Sequence, residues 1–460
     1  MADRMIVGIP ESHATDPLSD ALGQMARDGA ALLHAFLSAR GLTLVIAPAA
    51  RGAPEEMVLG PGPFSRPTRA GHQLFWGIEH TLPPIVWHHA SRRRPVRGRG
   101  LHLMPLGPVR GDVSESLAYQ LVVLGDEIHQ VRLRAGYKRR HVAEAMTGAD
   151  VSAALQVAER VTGTSRVAHA LAFSLAVEQA LGIGVSAADQ EARVVLAELE
   201  RITSHVGDLA LLAASTGTVA AAADWFRLKE TLLRFQAALT GHRYLMGVVG
   251  PGGHRRPLSR ELSALPALLA AVRAQVDAVA SALDVTNSYL DRLHGAGRLP
   301  ESPDGGVYWT GFVGKSAGLM RDTRWDAPYA AYGALTAGLA PVSVNRPDAY
   351  GRAWVRLGEV RQSLQMLSRV MDFRSPVETA APPERQGGDR GVGYGMVEAP
   401  RGRLCYRLAV HAGRVRAASL TTPSQLNWPA VPLALEQRNI LQDFPIIDAS
   451  FSLAVSALDL

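Results

Sequence analysis

Apolar residues recur at steps of three and four through most of the chain, the spacing of one face of an α-helix. One such stripe predicts a helix over 188–214, and another predicts a helix after Asp348, whose side chain can cap a helix N-terminus. A polar stripe runs beside each apolar one, so we expect a helical bundle in which ionised groups meet near the rim of the core. The polar stripes are Glu198, Arg201, His205 and Asp208 in the first helix, and Arg352, Arg356, Glu359 and Ser363 in the second.

Strand patterns lie near both ends of this helical region. Residues 101–106 and 117–124 predict a strand pair, and a Gly-rich stretch late in the chain leads into a predicted three-stranded meander. A final helix is predicted to begin near Trp428. The meander strands are predicted at 396–400, 404–410 and 414–420.

The first hundred residues differ from the rest. Residues 19–40 have helical spacing, 42–46 read as a short strand, and the run Ser-Arg-Arg-Arg-Pro-Val-Arg-Gly-Arg-Gly over 91–100 breaks the composition. We interpret this run as a solvated linker, with contact to a partner subunit or anionic lipid as the alternative. The prediction is an α+β protein, with a small N-terminal α/β domain over 1–98 and a larger domain over 99–460 that carries β-elements near both ends of its helical bundle.

Composition narrows the function classes. The 460 residues are 47% hydrophobic and 20% charged, as expected for a large buried core, and the formal net charge of +6 is too small and dispersed to indicate a nucleic-acid partner. Cys405 is the single cysteine, which excludes disulfide frameworks, thiolate zinc sites and iron–sulfur clusters ligated within this chain. No membrane-spanning segment is predicted, because the apolar stretch 206–223 is interrupted near Gly217 and fits a broken helix pair better.

Two glycine motifs fail on inspection. Gly314-Lys315-Ser316 resembles the end of a phosphate-binding loop, but Trp309 stands where that loop needs glycine. The cluster over 391–395 precedes a predicted strand rather than a helix, so we interpret it as a flexible lead-in to a hairpin. The residues alone therefore predict buried charge pairs and no particular activity.

Several segments, in order along the chain, resemble one family. They are similar to the large subunit of [NiFe] hydrogenases, especially the membrane-bound, energy-converting group 4, and to its relative, the large subunit of respiratory complex I beside the quinone site. The resemblance implies the fold of that large subunit for residues 99–460. The matching segments are 105–115, 125–129, 133–140, 159–169, 172–182, 196–205, 241–244, 326–332, 356–363, 398–402 and 443–450.

The resemblance also implies that a metal site has been lost. The hydrogenases of the family hold nickel and iron with four cysteines, and thiolates are the soft ligands that such a centre requires. In this chain the four ligand positions carry hydroxyl or methyl groups, and Cys405 matches none of them. The positions are Thr162, Ser165, Ala454 and Ala457.

Other family positions keep their charged residues. By resemblance, Arg401 takes the position above the ligands of the metal and Glu115 a position on the proton path, whereas Arg110 and His169 are candidate proton donors at a quinone cavity. An ion pair of Arg401 with a buried carboxylate, such as Glu115 or Glu398, is the structural alternative to anion or quinone binding. The predicted charge relay comprises Glu200, Arg201, His205, Arg356 and Glu359.

The first hypothesis is therefore an oxidoreductase subunit of electron transport on the cytoplasmic side of the bacterial inner membrane. It would sit peripherally in a complex I-like, energy-converting complex, beside an iron–sulfur small subunit and a membrane arm. It would hold no metal and no cofactor of its own, and its vacated cavity would serve quinone and ion translocation. The alternatives are a non-catalytic scaffold or conformational-coupling subunit, and an authentic hydrogenase large subunit of the formate hydrogenlyase type.

Overall fold

The computed structural model describes residues 98–109, 116–138, 140–256, 258–300, 309–372, 388–436 and 438–458. Before these, it describes the backbone of three strands, and the backbone alone is also described at 260, 261 and 372. Within these ranges the chain mixes helices and strands, and the predicted α+β class is confirmed.

The three early strands form an antiparallel sheet in the order β1–β2–β3. They are β1 (Ala31–Ser38), β2 (Gly41–Ala47) and β3 (Glu55–Leu59). The helix predicted over 19–40 is thus wrong over its last third. Residues 31–38 have the apolar spacing of a helix, but they pair with β2, which is rich in β-branched residues, and so form a strand. The predicted strand over 42–46 is confirmed, and residues 19–30 lie outside the described part of the chain.

The predicted strand pair is also confirmed, and a third strand joins it. The sheet consists of β4 (Leu101–Leu106), β5 (Ala118–Leu124) and β6 (Glu127–Arg134), in that order. Strand β5 lies in the middle and buries Tyr119, Leu121 and Val123 against the helices. The edge strand β4 leaves most of its side chains exposed.

Two short helices lead from this sheet into the bundle, α1 (Val142–Met146) and α2 (Val151–Ala158). The bundle itself begins with α3 (Arg166–Leu181), α4 (Ala187–Ser215) and α5 (Val219–Thr240). Helix α4 is the predicted long helix, and it is buried over nearly its whole length. The break predicted near Gly217 separates α4 from α5, and this glycine has the positive φ of 79° that L side chains avoid.

A two-stranded ribbon, β7 (Val249–Gly250) and β8 (Gly253–His254), precedes α6 (Leu265–Asp284) and α7 (Asn287–Leu293). The apolar segment Leu262–Asp284 is long enough to cross a membrane, which the sequence analysis did not anticipate. Its buried stripe packs on α5 and on a later helix, and 28% of its most apolar window is buried. One such segment is weak evidence for a membrane span.

Three one-turn helices connect α7 to the second predicted long helix. They are α8 (Gly311–Ser316), α9 (Thr323–Asp326) and α10 (Tyr332–Leu335). The long helix is α11 (Ala349–Asp372), and the Asp348 side chain accepts the Gly351 N–H at 2.8 Å, as expected for a cap. Helix α11 packs along α4, so their two polar stripes meet inside the bundle.

The predicted meander is confirmed as β9 (Arg390–Ala399), β10 (Gly402–His411) and β11 (Arg414–Thr421). The glycine cluster over 391–395 is part of β9 rather than a flexible lead-in. A Cβ at Gly393 would lie 2.0 Å from the carbonyl oxygen of Ala176, so glycine lets the strand pack directly on the backbone of α3.

The C-terminal region is helical, but it is divided into pieces. Helices α12 (Pro423–Asn427) and α13 (Ala430–Leu435) flank Trp428, and α14 (Phe444–Phe451) contacts α4 and α11. The helix predicted to begin near Trp428 is therefore confirmed only in part. A short 3-10 turn, Val455–Ala457, ends the described chain close to α12.

Candidate functional site

A cavity of about 890 Å³ lies between the β4–β5 sheet, helix α4 and the C-terminal loop. Its apolar wall includes Leu106, Leu117 and Trp428. Its polar end is formed by α4 and by the turn between β9 and β10. The polar residues there include Glu200, Ser204, Asp208 and Arg401. Such a space suits a ligand with one polar end and one apolar end.

Two loops border this cavity and are joined by arginines. Residues 161–165 precede α3, and residues 452–457 follow α14. Arg140 donates from one nitrogen to the Val161 carbonyl oxygen at 2.7 Å and to the Ser456 carbonyl oxygen. Arg401 donates to the Thr164 hydroxyl at 2.6 Å and to the Ser452 carbonyl oxygen at 2.5 Å. The two guanidinium groups thus hold the loops against each other.

The four residues that the resemblance places at the metal-ligand positions of the family's hydrogenases all belong to these loops. Ala454 lines the cavity, as do Gly163 and Thr164, the two residues that follow Thr162. The Thr162 hydroxyl is buried without a hydrogen-bond partner among the described residues, and Ser165 stands at the N-terminus of α3. The Ala457 carbonyl oxygen accepts from Thr422 at 3.1 Å.

These residues do not fit a nickel–iron centre. Hydroxyl and methyl side chains cannot replace the four thiolates of the family's hydrogenases. Within the described ranges, no three histidine, cysteine, aspartate or glutamate side chains are placed to share a metal ion. Cys405 is buried with Tyr394 and Met396 instead, and this burial raises the pKa of its thiol.

Arg401 is held by an acid that the sequence analysis did not assign to it. Its guanidinium donates to the Asp208 carboxylate at 3.0 Å and to the Ser204 hydroxyl at 3.2 Å. Glu398, one of the two predicted partners, bonds Thr323 and lies 3.5 Å from Lys315 instead, so that pairing is wrong. With the Thr164 and Ser452 contacts, most N–H groups of Arg401 are already occupied.

Arg356 shares the same aspartate. Its Nε lies 3.5 Å from the second carboxylate oxygen of Asp208, and its guanidinium lies 3.6 Å from the centre of the Phe312 ring. Burial and the nearby Arg401 bring the pKa of Arg356 down to about 10, although Asp208 and Glu359 raise it. The Asp208 carboxylate at the cavity wall therefore forms ion pairs with two buried arginines, Arg401 and Arg356.

Behind this wall lies a fully buried charge network. Glu359 of α11 accepts from His205 at 2.8 Å and from Lys315 at 2.6 Å, and it lies 3.5 Å from Arg201. Glu198 of α4 continues the network to Arg201. The further ion pairs are Arg201–Glu198 at 3.3 Å, Arg324–Glu198 at 3.3 Å, Lys315–Asp322 at 2.5 Å and Arg324–Asp322 at 2.7 Å.

The predicted relay is therefore only partly contiguous. Arg201, His205 and Glu359 are in direct contact. Arg356 is linked to Asp208 rather than to these three, and Glu200 joins neither group. The polar stripes predicted these groups near the core rim, but Arg201, His205 and Glu359 are almost completely buried.

The network contains residues that the sequence analysis missed. Lys315 was considered only as part of a rejected phosphate loop, and Asp322 and Arg324 carried no signal of their own. They lie on or beside the one-turn helices α8 and α9, which are too short to show a stripe. A usable signal was the expected burial of Glu198, Glu359 and Glu398, since buried carboxylates need nearby cations.

Two opposing effects set the ionisation of this network. Burial raises the pKa of Glu359, but Lys315, His205 and Arg201 outweigh burial and hold that pKa well below its usual range. For His205, burial lowers the pKa despite the opposing effect of Glu359, so the imidazole is neutral at pH 7. Glu359 is thus held as the carboxylate beside a neutral His205.

Glu200 occupies a different environment, at the cavity. Its carboxylate accepts the N–H groups of Val167 at 2.7 Å and Ala168 at 2.9 Å, at the N-terminus of α3. Burial raises the pKa of Glu200 to about 7, although these two N–H groups and the nearby arginines lower it.

The remaining predicted donors do not meet at the cavity. His169 does not line it; its Nδ1 lies 2.7 Å from the Tyr406 hydroxyl inside the core. Burial lowers the pKa of His169 to about 3, which keeps it neutral. Arg110 and Glu115 lie outside the described residues.

Comparison with known proteins gives consistent matches. The family described as "Respiratory-chain NADH dehydrogenase, 49 Kd subunit" matches residues 215–386. Formate hydrogenlyase subunit 5 of Escherichia coli (strain K12) is 28% identical over 373 residues, which are 78% of this chain and 63% of that protein. This chain thus spans less than two thirds of that relative.

NADH-quinone oxidoreductase subunit 4 of Thermus thermophilus is 24% identical over 77% of this chain and 93% of its own length. A chain from the structure of the membrane-bound sulfane sulfur reductase, an archaeal respiratory membrane complex, superposes with a TM-score of 0.72 at 19% identity. That match covers 80% of this chain and all of the other, and it shows the shared fold. The resemblance drawn from the sequence is confirmed.

Proposed function

We propose that this chain, a relative of the large subunits of energy-converting hydrogenases and of respiratory complex I, is a subunit of a complex I-like membrane redox complex. In this assignment it binds no nickel or iron of its own. It holds quinone in the cavity between its two arginine-joined loops. Partner subunits supply iron–sulfur clusters and a membrane arm, and the assembly couples electron transfer to ion movement at the cytoplasmic face.

The observation that carries this proposal is an open cavity beside the loops in which the resemblance places the metal ligands of the family's hydrogenases. The four residues at those aligned positions cannot bind nickel, yet the cavity that Ala454 lines is about 890 Å³ rather than filled by larger side chains. A scaffold subunit has no need to keep such a space, so the cavity favours a ligand-binding role over a purely structural one.

The lining supports an amphipathic, uncharged ligand such as a quinone. Leu106, Leu117 and Trp428 offer apolar surface for a ring and an isoprenoid tail. At the other end, Ser204, Glu200 and the remaining N–H capacity of Arg401 offer hydrogen bonds to the ring oxygens. Because Arg401 is already paired with Asp208, it acts mainly to shape the site.

Titration of the purified complex with decylubiquinone tests the proposal. We expect saturable binding in isothermal calorimetry, abolished by Ala449→Trp, which places an indole in the cavity from α14. Ala267→Trp is the matched control, because Ala267 lies on the exposed face of α6. Binding that Ala449→Trp does not weaken would contradict a quinone site in this cavity.

Elemental analysis separates the remaining alternative, an authentic hydrogenase large subunit. We expect no nickel above background in the purified complex, with iron accounted for by the partner's clusters. Nickel in a one-to-one ratio with this chain would revive the hydrogenase assignment.

A further inference from the structure

Glu200 is a buried carboxylate that faces the cavity and forms no ion pair with a cation in the described part of the chain. It is 8% exposed, and both of its described hydrogen bonds come from backbone N–H groups of Val167 and Ala168. No lysine, arginine or histidine within the described ranges forms an ion pair with it at 4.0 Å or less. An ionised carboxylate buried in this way lacks the compensation that such a group normally requires.

The other buried carboxylates of α4 are different. Glu198 lies 3.3 Å from Arg201 and 3.3 Å from Arg324, and Asp208 lies 3.0 Å from Arg401. Nearer the start of the helix, Asp189 contacts His254. Each of these acids contacts a basic residue that stabilises its carboxylate form. Glu200 differs from them because no such ion pair fixes it in the ionised state, so it can lose and regain a proton.

The surroundings of Glu200 balance its two protonation states. Burial favours the neutral acid, whereas the two N–H groups and the N-terminus of the 16-residue helix α3 favour the carboxylate. Arg166 from α3 and Arg201 from α4 act on it from a longer distance, in the same direction as the N–H groups. The charged groups that share the cavity are Asp208, Lys229, Arg401 and Asp448.

We propose that Glu200 is the proton-exchanging residue of the cavity. As the neutral acid it donates a hydrogen bond to an oxygen of the bound ligand, and on proton transfer it becomes a carboxylate held by the N–H groups of Val167 and Ala168. The identity of the ligand rests on the proposed function above, but the proton exchange of Glu200 does not.

With a quinone in the cavity, the step balances as follows. Two electrons from the iron–sulfur clusters of the partner subunit reduce the quinone, which leaves one negative charge on each of its two ring oxygens. The O–H bond of Glu200 breaks and an O–H bond forms on one of these oxygens, so one negative charge passes to the carboxylate. A solvent proton then restores the acid, and a second solvent proton binds the other ring oxygen, which completes the quinol.

Infrared difference spectroscopy of the purified complex tests the protonation of Glu200 without any ligand. The spectrum of the wild type minus that of Glu200→Gln should contain a carboxylic-acid carbonyl band that disappears as the pH rises, with a midpoint near 7. Glu230→Gln is the control: Glu230 pairs with Arg243 on the surface, and this pairing lowers its pKa. Its difference spectrum should contain no such band near neutral pH.

An acid band from Glu200 that is absent at about pH 6, or that persists at about pH 9, would overturn the proposal. Should Glu200→Gln fail to assemble, Glu200→Asp keeps an acid at the position. Its band should shift in frequency and still titrate, whereas an unshifted band would mean that another residue gives rise to it.

Calorimetry in buffers of different ionisation enthalpy then tests the link to the ligand. Near pH 7, we expect decylubiquinone binding to be accompanied by proton uptake or release by the complex in the wild type and in Glu159→Gln. In Glu200→Gln we expect no such proton exchange. Glu159 is the matched control, because it is a buried carboxylate that accepts one N–H, from Gly247 at 2.7 Å, and it does not line the cavity. Proton uptake or release in Glu200→Gln equal to that in the wild type would overturn the proton-exchanging role of Glu200.

Absence of any decylubiquinone binding would count against the proposed function alone, since the infrared titration still decides the protonation of Glu200.

Discussion

Lys315 is the centre of the buried charge network, and its removal gives the sharpest test of how that network is stabilised. The ammonium group donates to Glu359 at 2.6 Å and to Asp322 at 2.5 Å, and it lies 3.5 Å from Glu398. Lys315→Met keeps much of the side-chain volume and deletes the charge. Three buried carboxylates then lose the cation that they share.

The size of the effect follows from what each carboxylate retains. Asp322 keeps Arg324 at 2.7 Å, and Glu359 keeps His205 at 2.8 Å. Glu398 keeps the N–H of Thr323 at 3.0 Å. Each of the three carboxylates therefore keeps a donor. We expect Lys315→Met to lower the unfolding free energy by about 3–5 kcal/mol, the cost of removing one partner from a buried ion pair, rather than by three times that amount.

The loss should also depend on pH. In the wild type, Lys315 helps to hold the pKa of Glu359 and of Asp322 below their usual values, so it stabilises the fold wherever the unfolded carboxylates are ionised. The difference between wild type and Lys315→Met should therefore be full above about pH 5 and shrink as the pH falls, because protonation then replaces the lost cation.

Urea denaturation followed by circular dichroism measures this difference. Lys229→Met is the matched control, because Lys229 is only half-buried and forms no ion pair with the described residues; we expect its stability to change by less than about 1 kcal/mol. A Lys315→Met protein within about 1 kcal/mol of the wild type at pH 7 would refute the idea that this network depends on its lysine.

Three further predictions concern the site and the core. Asp208→Asn frees both Arg401 and Arg356, and we expect it to lower the unfolding free energy by about 3–5 kcal/mol and to weaken decylubiquinone binding; unchanged binding and stability would contradict the shared-acid geometry. Gly393→Ala places a methyl group against the α3 backbone and should cost about 1–3 kcal/mol, whereas Gly184→Ala, with open space around its Cβ, should not. His169 keeps a folded pKa of about 3, so below about pH 6.5 the unfolded chain gains a proton that the folded chain does not. The wild type should therefore lose about 2 kcal/mol more than His169→Gln between about pH 6.5 and pH 4.5, and parallel stability curves would contradict this.

The sequence predicted the long elements well because their periodicity is strong. The stripes of α4 and α11, the strand pair β4–β5 and the meander each extend over enough residues for the apolar spacing to identify the element. The sequence misled where tertiary contacts decide. Residues 31–38 have a helical spacing but pair as a strand, and the glycines of β9 serve close packing on α3 rather than flexibility.

The candidate site was predictable to a smaller extent. The polar stripes identified Arg201, His205 and Glu359 as members of charge pairs, and the loops that carry the four residues aligned with the family's metal ligands border one cavity. The partners of these residues come from segments distant in sequence. Asp208 with Arg401, and Lys315 with Glu359, meet only because α4, α8 and α11 pack together.

Photoaffinity labelling tests the central assignment, a quinone-binding cavity in place of a metal centre, most directly. A purified complex would be irradiated with an azido-quinone, and the labelled peptides identified by mass spectrometry. We expect decylubiquinone-sensitive labelling at cavity residues such as Leu117, Trp428 and Leu453. Labelling confined to partner subunits, or to parts of this chain away from the cavity, would contradict the assignment.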